Sequence, residues 1–311
     1  MNKNNMIPNG VWPTMLTPFT QSNNVDFNAL EELIEWYIER GVNGLFAVCQ
    51  SSEMFYLSLE ERIKIAHFVK EKVSNRIPVI ASGHVSDSLN NQIEELKMIA
   101  DTGVEAVVLI SNRIAGENES DDVWKKNAEI ILEKVPEIIF GIYECPYPYK
   151  RLMSVNLLKW CVSTGRLKFL KDTCCDLGQL SDKVRAVKGS NLKIFNANAA
   201  TLLDSMKMGC AGYSGVMANF HPELYVLLMN CWSANPEKAQ KLQDYLGFAS
   251  LAEYQLYPVN AKYYLNLEGL NIDLKTRSKD ASSFKPSMKI EVVQFRRTNL
   301  NFTKLMKYLI V

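Results

Sequence analysis

The feature that most constrains this chain is the alternation of short apolar runs with longer amphipathic segments. The segments begin with helix caps: DFNALEELIEWYIERG opens on Asp26 and ends at Gly41, and SLEERIKIAHFVKEKV opens on Ser58 with Glu61 in capping-box position. The apolar runs are GVWPTMLTPF, VNGLFAVC, IPVIASGH, EAVVLIS, EIIFGIYEC, LKFLKDT, LKIFNANA and AGYSGVMAN. Such runs are typical of strands buried on both faces. Eight strand–helix units within about the first 230 residues predict a (β/α)8 barrel, an α/β TIM barrel.

A doubly wound parallel sheet is the alternative for alternating strands and helices. Neither a G-x-G-x-x-G turn nor a phosphate-binding loop follows any of the apolar runs, which favours the barrel. From about Cys231 the alternation stops and the pattern becomes mostly helical. We therefore expect a catalytic barrel at 1–230 and a helical C-terminal extension at 231–311. Within the extension, IEVVQF also suits a strand, and the polar loop DLKTRSKDASSFKP carries no recognisable motif.

Charge and cysteine usage narrow the class of protein. The 311 residues carry 35 Lys and Arg against 34 Asp and Glu, so no electrostatic footprint for nucleic acid or an anionic membrane is visible. No apolar run approaches the ~18 residues of a membrane span, and the first residues lack the apolar core of a signal peptide. The 7 cysteines show no metal-ligand spacing. These features predict a cytoplasmic protein with reduced thiols, no metal, and no nucleic-acid or membrane partner.

Barrel enzymes place their sites at the carboxyl ends of the strands, so polar residues at those ends are the candidates. Lys171 lies near the end of an apolar run, where strand alternation puts it on one face with Leu167 and Phe169. An unpaired charged amine is costly there, so Lys171 is either ion-paired or neutral. Tyr143 holds a similar place in the fifth run. Other polar residues at strand ends are Gln50, Ser51, Ser52, Glu53, Glu144, Thr173, Asn196, Asn198 and Ser214.

A buried lysine beside a phenol has a specific chemistry. Burial lowers the pKa of a lysine from ~10.4 toward neutrality, and the free amine can then attack a carbonyl carbon. A nearby phenol can move protons in the carbinolamine and imine steps. Lys171 and Tyr143 thus indicate a class I aldolase, in which a protonated imine withdraws electrons while a C–C bond forms or breaks. Taken singly, such a lysine is more often ion-paired and such a tyrosine more often core.

Five short motifs, in order along the chain, support the catalytic interpretation. They are TMLTPF, CQSSE in the place of G-[TS]-T-G-E, YECP in the place of Y-N-x-P, LKDT, and MGCAGYSGVMAN. From Gly10 to about Asn219 the chain thereby resembles the dihydrodipicolinate synthase / N-acetylneuraminate lyase family of Schiff-base barrels. The resemblance implies that Lys171 forms the imine and Tyr143 shuttles protons. It also implies a small 2-oxo acid as substrate, no cofactor, and a homodimer or homotetramer.

The resemblance assigns a substrate-binding set as well. Ser51 and nearby backbone amides would hold the carboxylate of the 2-oxo acid, with Gln50 beside it in the place of a hydroxyl residue of the proton relay. Ala197 and Ser214 would flank the lysine through backbone groups. Thr173, at the end of the lysine strand, completes the predicted set.

The chain departs from the family pattern at positions that act on substrate in named members. Gln50 replaces a relay hydroxyl, and Ser111 stands where a neighbouring subunit would lend a tyrosine. Pro148 replaces the arginine that grips aspartate semialdehyde, while Ala199 and Ala200 replace the Asp-Glu pair that reads the sialic acid polyol. These departures indicate a branch of the family with another acceptor.

The sequence thus predicts an aldolase-type lyase or synthase that acts on a 2-oxo acid derived from pyruvate through a Schiff base at Lys171. Two alternatives stay open. One is a dehydratase or deaminase of a 2-keto-3-deoxy acid that uses the same imine. The other is a catalytically silent barrel that binds a small acid.

Overall fold

The structure, a computed structural model, describes residues 7–308. Eight parallel strands form one sheet that curls into a barrel. The strands are β1 (Gly10–Val11), β2 (Leu45–Phe46), β3 (Val79–Ala81), β4 (Ala106–Ile110), β5 (Phe140–Tyr143), β6 (Leu167–Asp172), β7 (Lys193–Asn196) and β8 (Gly212–Tyr213). Each apolar run of the sequence contains one strand, so the predicted (β/α)8 barrel is confirmed.

The barrel closes between its first two strands. The sheet runs in the order β1-β8-β7-β6-β5-β4-β3-β2, and an isolated parallel bridge between Thr14 and Phe46 joins its ends. Two main-chain hydrogen bonds support this seam: the Met15 amide donates to the Phe46 carbonyl, and the Phe46 amide donates to the Pro13 carbonyl, both at 3.0 Å. The carboxyl ends of all eight strands therefore face one mouth.

Helices cover the outside of the barrel and continue beyond it. They are α1 (Phe27–Glu39), α2 (Leu59–Val73), α3 (Leu89–Ala100), α4 (Ser111–Ile114), α5 (Asp121–Lys134), α6 (Val155–Ser163), α7 (Leu177–Val187), α8 (Leu202–Met208), α9 (Pro222–Cys231), α10 (Pro236–Ala249), α11 (Val259–Leu267) and α12 (Pro286–Tyr308). The predicted capping box of α2 is present, because the Ser58 hydroxyl and the Glu61 carboxylate each accept a hydrogen bond from the other's amide. Within residues 7–308, none of these helices combines the length and apolar character needed to span a membrane.

Aromatic side chains fill the interior of the barrel. The ring of Phe169 stacks on Phe195 with 4.6 Å between centroids, and Trp12 packs edge-on against both at 5.6 and 5.9 Å. At the β1–β8 contact, Gly212 has φ 154°, and a Cβ there would lie 2.0 Å from the carbonyl oxygen of Gly10. Only glycine allows this approach of the two strands. The floor under the barrel mouth is therefore closely packed and aromatic.

The C-terminal extension packs on the last part of the barrel. Asn299 of α12 donates to Tyr264 of α11 at 3.0 Å and lies 3.2 Å from the ring of His221, at the start of α9. The hydroxyl of Tyr245 on α10 donates to the side-chain oxygen of Asn299. The predicted boundary at residue 230 stays a prediction, although α9 ends at Cys231 and α10 begins the extension.

The stretch IEVVQF, which also suited a strand, lies in the helix α12. Side chains turned toward the protein recur along this helix at intervals of three and four residues, which is the helical period. They are Val292, Phe295, Asn299, Phe302 and Met306. Because the buried side chains lie on one face of a helix, the stretch IEVVQF folds as a helix and not as a strand.

The polar loop between α11 and α12 is fixed to the barrel mouth. The Glu53 carboxylate accepts hydrogen bonds of 2.7 Å from the main-chain amides of both Arg277 and Ser278. The Arg277 guanidinium makes a two-pronged contact with Glu61 of α2, at 2.7 and 2.8 Å. Bidentate pairs of this kind fix geometry as well as adding energy. A segment without a recognisable motif is thus placed against the mouth of the barrel.

Candidate active site

Lys171 and Tyr143 meet because of the register between β5 and β6. The two residues are direct partners in the parallel ladder, and the Nζ atom of Lys171 lies 4.5 Å from the centroid of the Tyr143 ring. Phe46 packs edge-on beneath, 5.7 Å from the Tyr143 ring and 6.2 Å from Phe169. An apolar layer therefore underlies the amine and the phenol.

The Lys171 side chain is 3% exposed. Within residues 7–308, it forms no ion pair with a carboxylate. Burial lowers the pKa of Lys171 from its usual 10.5, against the opposing influence of the Cys49 and Cys145 thiols and the Glu253 carboxylate. The environment thus favours the neutral amine, which is the nucleophilic form.

The Tyr143 phenol has an amide as its hydrogen-bond partner. It donates to the side-chain oxygen of Gln50 at 3.3 Å, and the Cys145 thiol donates to the same oxygen at 3.4 Å. Burial raises the pKa of Tyr143 well above 10.0. The phenol is therefore protonated at neutral pH, oriented by Gln50, and able to donate a proton to a reacting group.

The two serines after Gln50 face opposite ways. The Ser51 hydroxyl lies on the cavity and donates to the Thr14 hydroxyl at 3.1 Å. The Ser52 hydroxyl is fully buried and lies 2.7 Å from the carbonyl oxygens of Met15 and Ala47. Ser52 therefore closes the turn that presents Ser51, and Ser51 alone of the pair can meet a ligand.

The other predicted binding residues lie around the lysine in different ways. Thr173 lines the cavity, but its hydroxyl donates at 2.7 Å to the main-chain carbonyl that follows β5. Ala197 also lines the cavity, and its amide donates to a carbonyl of β6 at 3.0 Å. Ser214 is fully buried under the surface, and its successors Gly215 and Val216 form the cavity wall there. A contact from Ser214 to a ligand stays a prediction.

A buried ionic cluster lies on the outer side of the same two strands. The Lys183 ammonium of α7 is 2.6 Å from the Glu144 carboxylate and 2.5 Å from the Asp172 carboxylate. The amides of Met153 and Thr173 donate to Glu144 at 2.7 and 3.0 Å. Burial, followed by the charge of Asp172, raises the pKa of Glu144 to about 7. Because Glu144 follows Tyr143 and Asp172 follows Lys171, the cluster ties together the strand ends that carry the amine and phenol.

The barrel mouth opens into a cavity of about 590 Å³, a volume suited to small ligands. From the barrel the cavity is lined by Gln50, Ser51, Tyr143, Lys171, Thr173 and Ala197. From the C-terminal extension it is lined by Ser250, Glu253, Tyr254, Tyr257, Ser278 and Lys279. The extension therefore forms part of the cavity wall.

The match to a known family includes the barrel and the residues of the extension that line the cavity. A sequence profile described as the dihydrodipicolinate synthetase family matches residues 7–279. The chain belongs to this family.

Relatives in the dihydrodipicolinate synthetase family are distant. The 4-hydroxy-tetrahydrodipicolinate synthase of Brachyspira hyodysenteriae is 26% identical over 267 residues, covering 85% of this chain and 88% of the relative. A protein of Pyrococcus horikoshii described as an uncharacterized DapA-like lyase is 30% identical over 235 residues, covering 74% and 79%. The structure of YagE from E. coli K12 in complex with pyruvate aligns with 94% of this chain and 98% of its own, at a TM-score of 0.85 and 20% identity. This structural similarity shows that the two proteins share the barrel fold.

In this member of the dihydrodipicolinate synthetase family, the extension supplies cavity residues that the motifs did not indicate. The Tyr257 hydroxyl accepts a hydrogen bond from the Asn219 amide at 2.9 Å, and Ser278 and Lys279 arrive with the loop held by Glu53. The positions of these residues at the cavity depend on contacts between distant parts of the chain, and no short motif marks such contacts. Within residues 7–308, no cluster of His, Cys, Asp or Glu side chains has the makings of a metal site.

Proposed function

We propose that this protein is an aldolase-type lyase or synthase that splits off or adds a pyruvate unit through an imine at Lys171. One observation carries the proposal: a buried amine with a lowered pKa and no ion-pair partner within residues 7–308 lies 4.5 Å from the ring of a protonated tyrosine. Both face a cavity that can hold a small acid. The pyruvate bound to YagE, a structural neighbour, supports this choice of substrate.

The chemistry needs only the residues of this cavity. The neutral Lys171 amine attacks the C2 carbonyl carbon of pyruvate and forms a carbinolamine. The oxygen leaves as water with one proton from the nitrogen and one from the Tyr143 phenol, so that a protonated imine remains. The phenolate then regains a proton from water, because burial raises the pKa of Tyr143 well above 10.0. Loss of a C3 proton then gives an enamine, whose C3 attacks the carbon of an aldehyde. The aldehyde oxygen takes a proton from the Tyr143 phenol, and water hydrolyses the imine to release the product and the Lys171 amine. In the cleavage direction the C4 hydroxyl gives up its proton, the C3–C4 bond breaks, and the electrons of that bond flow to the imine.

The remaining predicted residues are assigned to substrate binding. Ser51, held by Thr14 at 3.1 Å, is placed to bind the pyruvate carboxylate with nearby amides. Gln50 orients the Tyr143 phenol. Thr173, Ala197 and Ser214 shape the site beside the imine through their backbone. We further propose a cytoplasmic homodimer or homotetramer, which sedimentation at micromolar concentration would test.

The decisive experiment traps the imine. Incubation with pyruvate and borohydride should add one reduced pyruvate adduct to the protein, and peptide mapping should place it at residue 171. Lys171→Ala should give no adduct, whereas Lys64→Ala, which removes a lysine 60% exposed on α2, should label normally. A wild-type protein that forms no adduct would argue for the silent barrel.

A second measurement separates the enzymatic alternatives. A panel of 2-keto-3-deoxy acids should release pyruvate if the enzyme is an aldolase. A dehydratase or deaminase would instead consume the acid without pyruvate release, because the same imine would eliminate water or ammonia. Turnover on any of these compounds separates an enzyme from a binding protein.

A further inference from the structure

Imine chemistry at Lys171 requires a base for the C3 proton of pyruvate. The Tyr143 phenol donates to the Gln50 side-chain oxygen, and an amide cannot pass a proton on by simple exchange as a hydroxyl does. Because burial raises the pKa of Tyr143 well above 10.0, its phenolate is scarce at neutral pH. A carboxylate that faces the cavity would be a more effective base.

The carboxylates near the cavity differ in what already binds them. Glu144 and Asp172 share the Lys183 ammonium behind the strands. Glu53 lies on the cavity, but it accepts two main-chain hydrogen bonds from the C-terminal loop. Among the described residues that line the cavity, the remaining carboxylate is that of Glu253.

Glu253 lies on the 3-10 turn Ser250–Tyr254 and is half-buried. The turn places it on the wall of the cavity that Lys171 and Tyr143 also line. Burial raises the pKa of Glu253, while the charge of Lys171 lowers it. The titratable groups that act on it are Lys171 of β6, Tyr213 of β8, Tyr225 of α9 and the neighbouring Tyr254.

We propose that Glu253 is the catalytic base that removes the C3 proton from the pyruvate imine at Lys171 and, as the acid, returns it. The C3–H bond breaks, its electron pair forms the C2=C3 bond, and the electrons of the C=N bond return to nitrogen. The proton then resides on the Glu253 carboxyl group. This inference rests on the proposed function, because it requires the imine.

The electrostatics of the cavity favour this step. The protonated imine is positively charged, and it forms at a site where burial lowers the pKa of the amine. A carboxylate in the same cavity is attracted to that charge, and the attraction is strengthened because the cavity floor is apolar. A carboxyl group whose pKa is raised by burial is also a stronger base than an exposed one.

Hydrogen exchange at the methyl group of pyruvate tests the assignment without any knowledge of the acceptor. In D₂O the wild type should replace the methyl hydrogens of pyruvate by deuterium, followed by proton NMR. Glu253→Gln should slow this exchange by about 10²–10⁴-fold, the range of a lost general base. The adduct trapped with borohydride should form in normal yield. Glu253→Asp should recover part of the exchange.

The pH dependence of the exchange rate distinguishes a catalytic role of Glu253 from a purely structural one. Wild-type exchange should fall as the pH drops through the pKa of Glu253. The residual exchange of Glu253→Gln should lack this limb and keep only the pH dependence that protonation of the Lys171 amine gives to both proteins. Glu129→Gln, a change at an exposed glutamate of α5, should leave both rate and profile unchanged. Exchange in Glu253→Gln within about threefold of wild type, with normal adduct yield, would overturn the role of Glu253 alone. Absence of the adduct in wild type would overturn the proposed function and this inference together.

Discussion

The barrel and the C-terminal extension contribute to the same cavity in different ways. The barrel supplies Lys171 and Tyr143 from paired positions on adjacent strands, so backbone register fixes their separation. The extension supplies Glu253 and Tyr257 from a turn and a helix entry, whose positions depend on packing against the barrel. The two regions therefore differ in role. The strands fix the positions of Lys171 and Tyr143, and the extension provides further side chains that can contact the substrate.

The largest expected effect comes from removing the extension. A chain ended after residue 230 would expose the side chains that now pack against fully buried Leu242, Leu246 and Leu265. Each buried leucine contributes ~1.5–3 kcal/mol, against a total stability of ~5–15 kcal/mol. We expect no cooperative thermal transition by circular dichroism and no pyruvate adduct. A fragment that unfolds cooperatively and forms the adduct would show that 1–230 is an independent domain.

Two tyrosines, one from each region, allow the chemical roles of the barrel and the extension to be compared. Tyr143→Phe removes the barrel phenol, and we expect the pyruvate adduct to accumulate about 10²–10⁴-fold more slowly, because the carbinolamine loses its acid. Tyr257→Phe removes the extension phenol, which accepts from Asn219 at 2.9 Å, and should change this rate by less than about tenfold. Quenched time courses read by mass spectrometry give both rates. Equal effects would mean that the phenol of the extension takes part in imine formation.

Two buried lysines offer the same comparison for stability. Lys183→Met leaves the carboxylates of Glu144 and Asp172 buried without their cation, and should cost ~3–5 kcal/mol of unfolding free energy. Lys262→Met in the extension should cost less than about 2 kcal/mol, because Glu53 keeps its two amide donors. Burial already lowers the pKa of Lys262 to about 8.

Urea unfolding at pH 7 measures both variants. The matched control for Lys183→Met is a triple variant that also carries Glu144→Gln and Asp172→Asn, which removes the buried charge along with its partner. Most of the lost stability should return in the triple variant. If Lys262→Met proved as damaging as Lys183→Met, the extension would be as rigidly specified as the strands.

The stability of both regions is also expected to depend on acid. Burial lowers the pKa of His84 in the barrel to about 4 and that of His221 at the junction with the extension to about 3. The unfolded chain binds these protons below a pKa of 6.5 and the folded protein does not, so stability is complete above pH 6.5 and falls as the pH drops. Each histidine should account for ~2 kcal/mol between pH 6.5 and 5.

Substitution separates the two histidines. His221→Gln should flatten part of this dependence in urea unfolding curves measured at several pH values. His84→Gln should flatten it by a similar amount, with an added pH-independent loss, because His84 Nε2 accepts from the Ile110 amide at 2.7 Å. An unchanged slope in either variant would mean that the pKa of the histidine is the same in the folded and the unfolded protein.

The sequence predicted the barrel and its lysine–tyrosine pair because both follow from local rules. Strands appear in the sequence as apolar runs, and helices are marked by caps such as Ser58 with Glu61. The carboxyl ends of the parallel strands of a barrel all lie at one mouth. Residues at corresponding strand ends, such as Tyr143 and Lys171, must then lie together.

The extension was predictable only in outline. The helical spacing of Val292, Asn299 and Met306 was present in the sequence and could have settled IEVVQF as helix. The approach of Lys279 and Glu253 to the cavity could not be read in this way. It depends on contacts such as that between Arg277 and Glu61, which are 216 residues apart, and sequence patterns report only neighbours along the chain.

The buried cluster around Lys183 makes residues 144 and 183 unequal partners. Glu144 stands where the motif that YECP resembles has Asn. With Asn at that position, Lys183 would still pair with Asp172. Glu144 without Lys183 would leave a second carboxylate buried beside Asp172 with no cation, a change that costs several kcal/mol in a protein with few to spare. The glutamate therefore depends on the lysine, whereas the lysine does not depend on the glutamate.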